Sequence, residues 1–346
     1  MSAAREPLGV SGATVPRLID GGWQMADGHS GTADRQAIFE VWDALLDRGF
    51  DTFDCADIYT GVEALLGEFG RRRGRPFRVH TKLVPDRDRL ATLSRADVAR
   101  IVDRSLRRLG RDRLDLVQLH WWDYGVPGME EALGWLDELR RAGKIADLGV
   151  TNCDVLHLDR LVATGVPVAS IQLQYSALDH RPERGMAAYC ADRGIALLCY
   201  GTLAGGFLSD RWLDRPDPGT AAENRSLVKY RLVIDELGGW EAFQALLRAL
   251  AEVGRRHGAP VATVALAYVL AKPGVSAAIV GVRSADHVPR WTDALDLALG
   301  ADDRATIAAV AGPDHGPDGD VYQLERIPDG PHAAIMKYDL NRRATD

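Results

Sequence analysis

Two apolar periods alternate along this chain. Short runs rich in Val, Ile and Leu stand at 17–22 (RLIDGG), 51–55 (DTFDC), 78–82 (RVHTK), 114–120 (LDLVQLH), 145–152 (IADLGVTN), 168–175 (VASIQLQY), 196–200 (ALLCY) and 276–281 (SAAIVG). Their length and composition predict buried parallel strands. Helical runs lie between them. Ile38, Val41, Trp42, Leu45 and Leu46 keep the spacing of one buried face, closed at Gly49. VEALLGEFGRRR follows the second strand; ADVARIVDRSLRRLG follows the third, with Ser94 as its N-cap. MEEALGWLDELRRAG follows the fourth, and CDVLHLDRLVATG, GMAAYCADRG, WEAFQALLRALAEVGRRHG and VATVALAYVLA fill the later gaps. SADHVPRWTDALDLAL follows the eighth strand, and 201–239 reads as a long irregular loop.

Eight β-then-α units predict a parallel sheet, and their number matches a closed (β/α)8 TIM barrel, for which about 250 residues suffice. A single barrel domain then occupies about 15–312, with a long loop after the seventh strand and a C-terminal extension over 313–346. Val321, Tyr322, Leu324, Ile335, Met336 and Tyr338 make that extension too apolar for disorder. It is expected to pack on the barrel, with the pocket within its reach. A doubly wound sheet competes, but its glycine fingerprint G-x-G-x-x-G is absent, as are G-x-x-x-x-G-K-[ST] and G-x-S-x-G.

Composition narrows the function. The 346 residues carry 42 Lys+Arg against 49 Asp+Glu, a net charge of −7, with 46% hydrophobic residues. This is an ordinary globular balance without a basic block, which argues against nucleic acid as the main partner. No apolar run reaches the roughly 18–20 residues of a membrane span, and the opening MSAAREPLGVSG lacks the apolar core of a secretory signal. A cytoplasmic protein acting on a small molecule is expected, and a homo-oligomer is compatible with this composition. Cys55, Cys153, Cys190 and Cys199 show no C-x-x-C spacing and no accompanying histidine cluster, so reduced buried thiols are expected and no metal site.

In such a barrel chemistry sits at the C-terminal strand ends. Those ends carry Asp54 with Tyr59 just beyond, then Lys82, His120, Thr151-Asn152, Gln172 and Tyr200. Singly, each has a structural explanation as a cap, a solvated end or a core residue. Together, a lysine and a histidine closing apolar strands are costly unless paired. Lys82 beside Tyr59 favours the phenolate and lowers the phenol's pKa; Asp54 keeps Lys82 charged. Such a trio makes Tyr59 a general acid, and a neutral His120 orients a carbonyl oxygen. With no nucleophile or metal site evident, a hydride from a cofactor is the natural complement.

The chain resembles an aldo-keto reductase over roughly residues 8–312. The motifs are Asp54-Cys-Ala-Asp-Ile-Tyr59, Thr81-Lys82, Leu116-Val-Gln-Leu-His120-Trp121, Gly143-Lys-Ile-Ala-Asp-Leu-Gly-Val-Thr-Asn152 and Tyr200-Gly-Thr-Leu-Ala-Gly-Gly206, in that order. The resemblance implies a nicotinamide cofactor bound without a Rossmann domain, and reversible reduction of an aldehyde or ketone to an alcohol. Hydride would pass from nicotinamide C4 and a proton from Tyr59, tuned by Lys82 and Asp54, with His120 orienting the substrate. It implies that Thr151, Asn152 and Gln172 hold the carboxamide and that Tyr200 stacks on the ring. Gly201, Thr202, Leu203 and Gly205 would follow the pyrophosphate, and Arg283, Ser284 and His287 the adenosine end. Arg283 fits the position used on a 2′-phosphate, so NADP(H) is expected, with NAD(H) as the alternative. The segment departs from the family pattern at His287, Pro289, Arg290 and Trp291; for Trp291 both stacking on adenine and packing on the barrel are open. Trp23, Trp121 and Trp122, with Tyr124, are expected to line the substrate mouth; Asp57 and Asp123 are expected as solvated loop acids, or as partners of hydroxyls or an amine. Two other functions compete: a cofactor-binding redox sensor like the potassium-channel β subunits, and a cofactor-free barrel isomerase or aldolase.

Overall fold

An antiparallel hairpin, β1 (Arg5–Pro7) and β2 (Thr14–Pro16), precedes eight strands that close on themselves. These are β3 (Leu18–Gly21), β4 (Thr52–Asp54), β5 (Arg78–Leu83), β6 (Leu114–His120), β7 (Ile145–Thr151), β8 (Val168–Gln174), β9 (Ala196–Tyr200) and β10 (Val275–Val280). They pair in parallel in chain order, and β10 returns to β3 with Ala278 opposite Leu18. The computed structural model describes residues 3–26, 34–219, 225–282, 284–312 and 314–343. Around the barrel run α1 (Arg35–Asp47), α2 (Val62–Arg73), α3 (Arg95–Leu109), α4 (Met129–Arg141), α5 (Val155–Ala163), α6 (Met186–Arg193), α7 (Arg225–Glu236), α8 (Trp240–His257), α9 (Val261–Leu270), α10 (Pro289–Asp296) and α11 (Ala301–Ala308). Two short helices, α12 (Pro331–Ala334) and α13 (Leu340–Arg343), belong to the C-terminal extension.

The eight predicted strands fall where the apolar runs stand. Helix α3 starts where its sequence says: the Ser94 hydroxyl accepts from the Asp97 N–H, and the Asp97 carboxylate accepts from the Ser94 N–H. This reciprocal cap satisfies two end donors, so Ser94→Ala lowers stability by about 1 kcal/mol. Urea unfolding followed by circular dichroism measures it.

Several elements differ from expectation, α11 among them. The hairpin strands are three residues each, too short to show a period. Helix α7 lies inside the stretch read as irregular; its Leu227, Tyr230, Val233 and Ile234 are buried at helical spacing. The last predicted helix begins only at Pro289, where a missing N–H costs nothing.

Side chains sort by parity along the strands. Val117 and Leu119 of β6 point outward against the helices. Leu116 points inward and packs with Ile19, Leu198, Ala277 and Ile279. The hairpin seals this lower end with Leu8 and Val15, both buried. Higher up the interior turns polar, at Asp54, Lys82, Gln118, His120 and Gln172.

The extension is tied across the upper end. Arg181 grips Asp179 and reaches Glu325 at 3.4 Å; Lys229 of α7 meets Glu325 at 3.5 Å. Arg326 donates to the carbonyls of Trp121 and Asn152, each at 2.8 Å. Asn341 donates to Asp57 and to the Val84 carbonyl, and its own N–H meets Asp86.

Candidate active site

The strand ends deliver their polar residues to one cavity of about 740 Å³ at the upper end of the barrel. Register explains how. Asp54 pairs with His80 and Lys82 with Gln118, so Lys82 stands one pleat above Asp54, on the same inward face. Its ammonium donates to both Asp54 oxygens and to the Cys55 carbonyl, each at 2.8 Å. Both side chains are only 5% exposed. Burial works against the ammonium, but Asp54 and Tyr59 outweigh it and hold Lys82 firmly protonated. The Lys82 nitrogen lies 4.9 Å from the centre of the Tyr59 ring.

The phenol departs from expectation. Burial pushes Tyr59 up to about 12, although Lys82 pulls the other way. Desolvation of a phenolate in this closed pocket exceeds the help of an ammonium already committed to Asp54. Tyr59 thus keeps its proton through the neutral range, which is the form a proton donor needs.

His120 ends β6 opposite Thr151. Burial, reinforced by the charge of Arg326, pulls its pKa down to about 3, so the ring is neutral, as expected. Nδ1 lies 3.3 Å from the Thr151 carbonyl, at the weak end of hydrogen bonding. Nε2 is buried at the cavity without a partner.

The residues expected to meet a nicotinamide ring gather beside this group. Thr151, Asn152, Gln172 and Tyr200 all line the cavity. Asn152 takes the left-handed backbone, with φ 57°, and its side-chain oxygen accepts from the Tyr200 hydroxyl at 2.8 Å. Gln172, however, spends its amide on Asp54, at 2.6 Å. Its expected contact with a carboxamide falls to its remaining oxygen.

Gly201, Thr202, Leu203 and Gly205 also line the cavity. Gly201 has φ 72°, and a Cβ there would stand 2.4 Å from the Tyr230 hydroxyl of α7. Its smallness is therefore needed for helix packing as well as for any ligand. The Thr202 hydroxyl is buried and has no partner. His287 stands exposed at the cavity edge. Ser284 does not line the cavity; it caps the turn at Ala285–His287 by accepting from the Asp286 N–H. Arg283 lies outside the described residues.

Of the expected mouth residues, Trp23 and Trp122 line the cavity. Trp23 lies 5.0 Å from the Tyr59 ring, and Trp122 stands edge-on to His120 at 4.2 Å. Trp121 does not: it is buried outside the cavity, donating to the Val126 carbonyl at 3.0 Å. Tyr124 is also diverted, stacked on His157 at 3.4 Å. Strand parity sends consecutive side chains to opposite faces, so His120 and Trp121 cannot both point inward. Asp57 is no solvated acid. It is buried, and accepts from the Val84 N–H and the Asn341 amide. Asp123 pairs with Arg87 at 2.9 Å. Trp291 packs edge-on against Phe50 at 5.4 Å.

Several cavity residues were absent from the sequence reading. Arg211, Lys229 and Tyr230 lie in the stretch read as irregular. The helical spacing of Leu227, Tyr230, Val233 and Ile234 was the signal that could have found the last two. Tyr322, Ile335, Met336, Lys337 and Leu340 come from the extension. Among the described residues no cluster suits a metal ion, and no helix is long and apolar enough to cross a membrane.

Comparison with known proteins returns one family. The model of the Aldo/keto reductase family matches residues 17–311. Aldo-keto reductase YhdN of Bacillus subtilis is 26% identical over 317 residues, spanning 87% of this chain and 91% of that protein. The NADH-specific methylglyoxal reductase of Escherichia coli is 27% identical over 88% of this chain and 97% of its own. The solved structure of the thermostable aldo-keto reductase Tm1743, in complex with the inhibitor epalrestat, superposes with a TM-score of 0.71 at 25% identity. It covers 89% of this chain and 99% of that one.

Proposed function

The chain belongs to the aldo/keto reductase family, whose members are nicotinamide-dependent oxidoreductases, and from that premise we propose that it reduces an aldehyde or ketone reversibly to an alcohol with NADP(H). The observation that carries this reading is the convergence of a protonated phenol, a charged lysine and a neutral imidazole on one cavity.

The residues present fit such a cofactor. The buried Thr202 hydroxyl has no partner among the described residues and opens on the cavity beside Gly201 and Leu203. A buried hydroxyl left unpaired is costly, and a polar ligand removes that cost. Thr151, Asn152 and the oxygen of Gln172 would hold the carboxamide, and Tyr200 would carry the ring. Gly201, Thr202, Leu203 and Gly205 would follow the pyrophosphate. Arg283 and His287 would serve the adenosine end, with Arg283 on the 2′-phosphate; Ser284 keeps its turn in place. When bound, the cofactor supplies the hydride for the carbonyl carbon.

The chain's own groups do the rest. Tyr59 donates its proton to the carbonyl oxygen as negative charge develops there. Lys82 places a fixed positive charge beside the resulting phenolate, and Asp54 fixes the lysine. His120 presents Nε2 to the same oxygen. Donation from Nε2 requires the proton on that nitrogen, which gives up the 3.3 Å contact of Nδ1 with the Thr151 carbonyl. Trp23 and Trp122 form the sides of the substrate mouth.

The test is a titration with NADPH and NADH followed by tryptophan fluorescence, then a carbonyl screen at saturating cofactor. We expect both cofactors to bind, NADPH more tightly, and the nicotinamide absorbance to fall with at least one aldehyde. Tighter binding of NADH would move the protein to the preference named for its Escherichia coli relative. No turnover on any carbonyl would overturn the reductase reading.

A further inference from the structure

The family match ends at residue 311, but the cavity has a wall beyond it. Tyr322 stands edge-on to His120 at 5.5 Å, and Ile335, Met336, Lys337 and Leu340 complete that side. The wall is anchored at several points, through Glu325 on Arg181, Arg326 on Asn152 and Asn341 on Asp57.

Charge around the cavity divides between two sides. Asp54 is the single carboxylate among the described lining residues, and it is bound to Lys82. Arg211 and Lys229 enter from the segment after β9, and His287 from the segment after β10. A polyanionic cofactor accounts for cations there. Lys337 enters from the other side. Four residues on, Asn341 is bonded to Val84 and Asp86, just past the end of β5. In the ring of eight strands β5 lies diametrically across from β9. Tyr338, next to Lys337, stands edge-on to Trp122 at 5.1 Å, and Trp122 flanks His120. Arg87 on this rim is neutralised by Asp123. Lys337 has no carboxylate partner among the described residues.

We propose that Lys337 receives an anionic group, a carboxylate in the simplest case, at the far end of a carbonyl substrate whose body is apolar or aromatic. The proposal rests on the reductase reading and names its substrate class. Trp23, Trp122, Tyr322 and Met336 offer flat and polarisable surfaces to that body. A carbonyl end at Tyr59 and His120 leaves the opposite end of the substrate at the rim, where a lysine acts as a point charge.

The experiment compares 4-formylbenzoate with its neutral methyl ester, with NADPH and with NADH. It uses wild type, Lys337→Gln and Lys337→Arg. Lys337 is exposed, so neither change threatens folding. We expect wild type to favour the acid in kcat/KM. In Lys337→Gln the acid-to-ester ratio falls about threefold to tenfold, through KM for the acid, and Lys337→Arg restores it. The preference should also weaken with added salt. An acid-to-ester ratio equal in wild type and Lys337→Gln would overturn the proposal while leaving the reductase reading intact. Calorimetric binding of both compounds separates the remaining outcomes. If neither is turned over but the acid binds wild type more tightly than Lys337→Gln, the anion site stands and the carbonyl screen alone decides the reductase reading. Equal binding without turnover overturns the anion site and leaves the reductase reading to that screen.

Discussion

Replacing Tyr59 by phenylalanine lowers kcat for carbonyl reduction by about 10²–10⁴-fold, the range a positioned general acid supplies. The change removes one hydroxyl and keeps the ring that Trp23 packs against at 5.0 Å. It also leaves the bonds of Lys82 to Asp54 and Cys55 in place. Cofactor affinity should therefore change little, and fluorescence titration of the same preparation checks this. Single-turnover kinetics then locate the loss in the chemical step. A variant that turns over like wild type removes Tyr59 from the role assigned to it.

The second large effect concerns Lys82. Lys82→Met leaves the Asp54 carboxylate buried, with Gln172 but no counter-charge. Breaking such a pair from one side costs about 3–5 kcal/mol. Stability should fall by that amount in denaturant unfolding, and turnover should fall with it. The double variant Lys82→Met with Asp54→Leu separates the two losses. It removes both charges, so most of the stability returns, while activity stays low because no cation faces the phenol. A stable Lys82→Met single variant would mean that Asp54 takes up a proton at little cost when left alone.

Sequence pattern gives the barrel strands because each is largely buried on both sides and reads as a short, mostly apolar run. The polar group of the candidate site is equally legible: Asp54, Lys82 and His120 interrupt such runs where only paired polar residues survive. The misreadings have specific causes. Trp121 follows His120 directly, and strand parity turns it outward, which composition alone does not reveal. A charged neighbour predicts a lowered pKa for Tyr59, but the burial of its ring, which the local sequence does not show, reverses the sign. Asp57 sits in the same motif as Tyr59 and looks like a loop acid until Asn341, 284 residues away, closes over it. Helix α7 was hidden because its start adjoins a segment of Pro, Gly and Asn that reads as loop.

The floor of the cylinder is plugged by Leu8 and Val15 against Ile19, Leu116 and Leu198. The proposed carbonyl reduction consumes one proton per cycle, which must come from bulk water, and an aliphatic stopper conducts none. On that proposal the phenol is recharged through the upper end of the barrel, where Tyr322 and Met336 line the cavity.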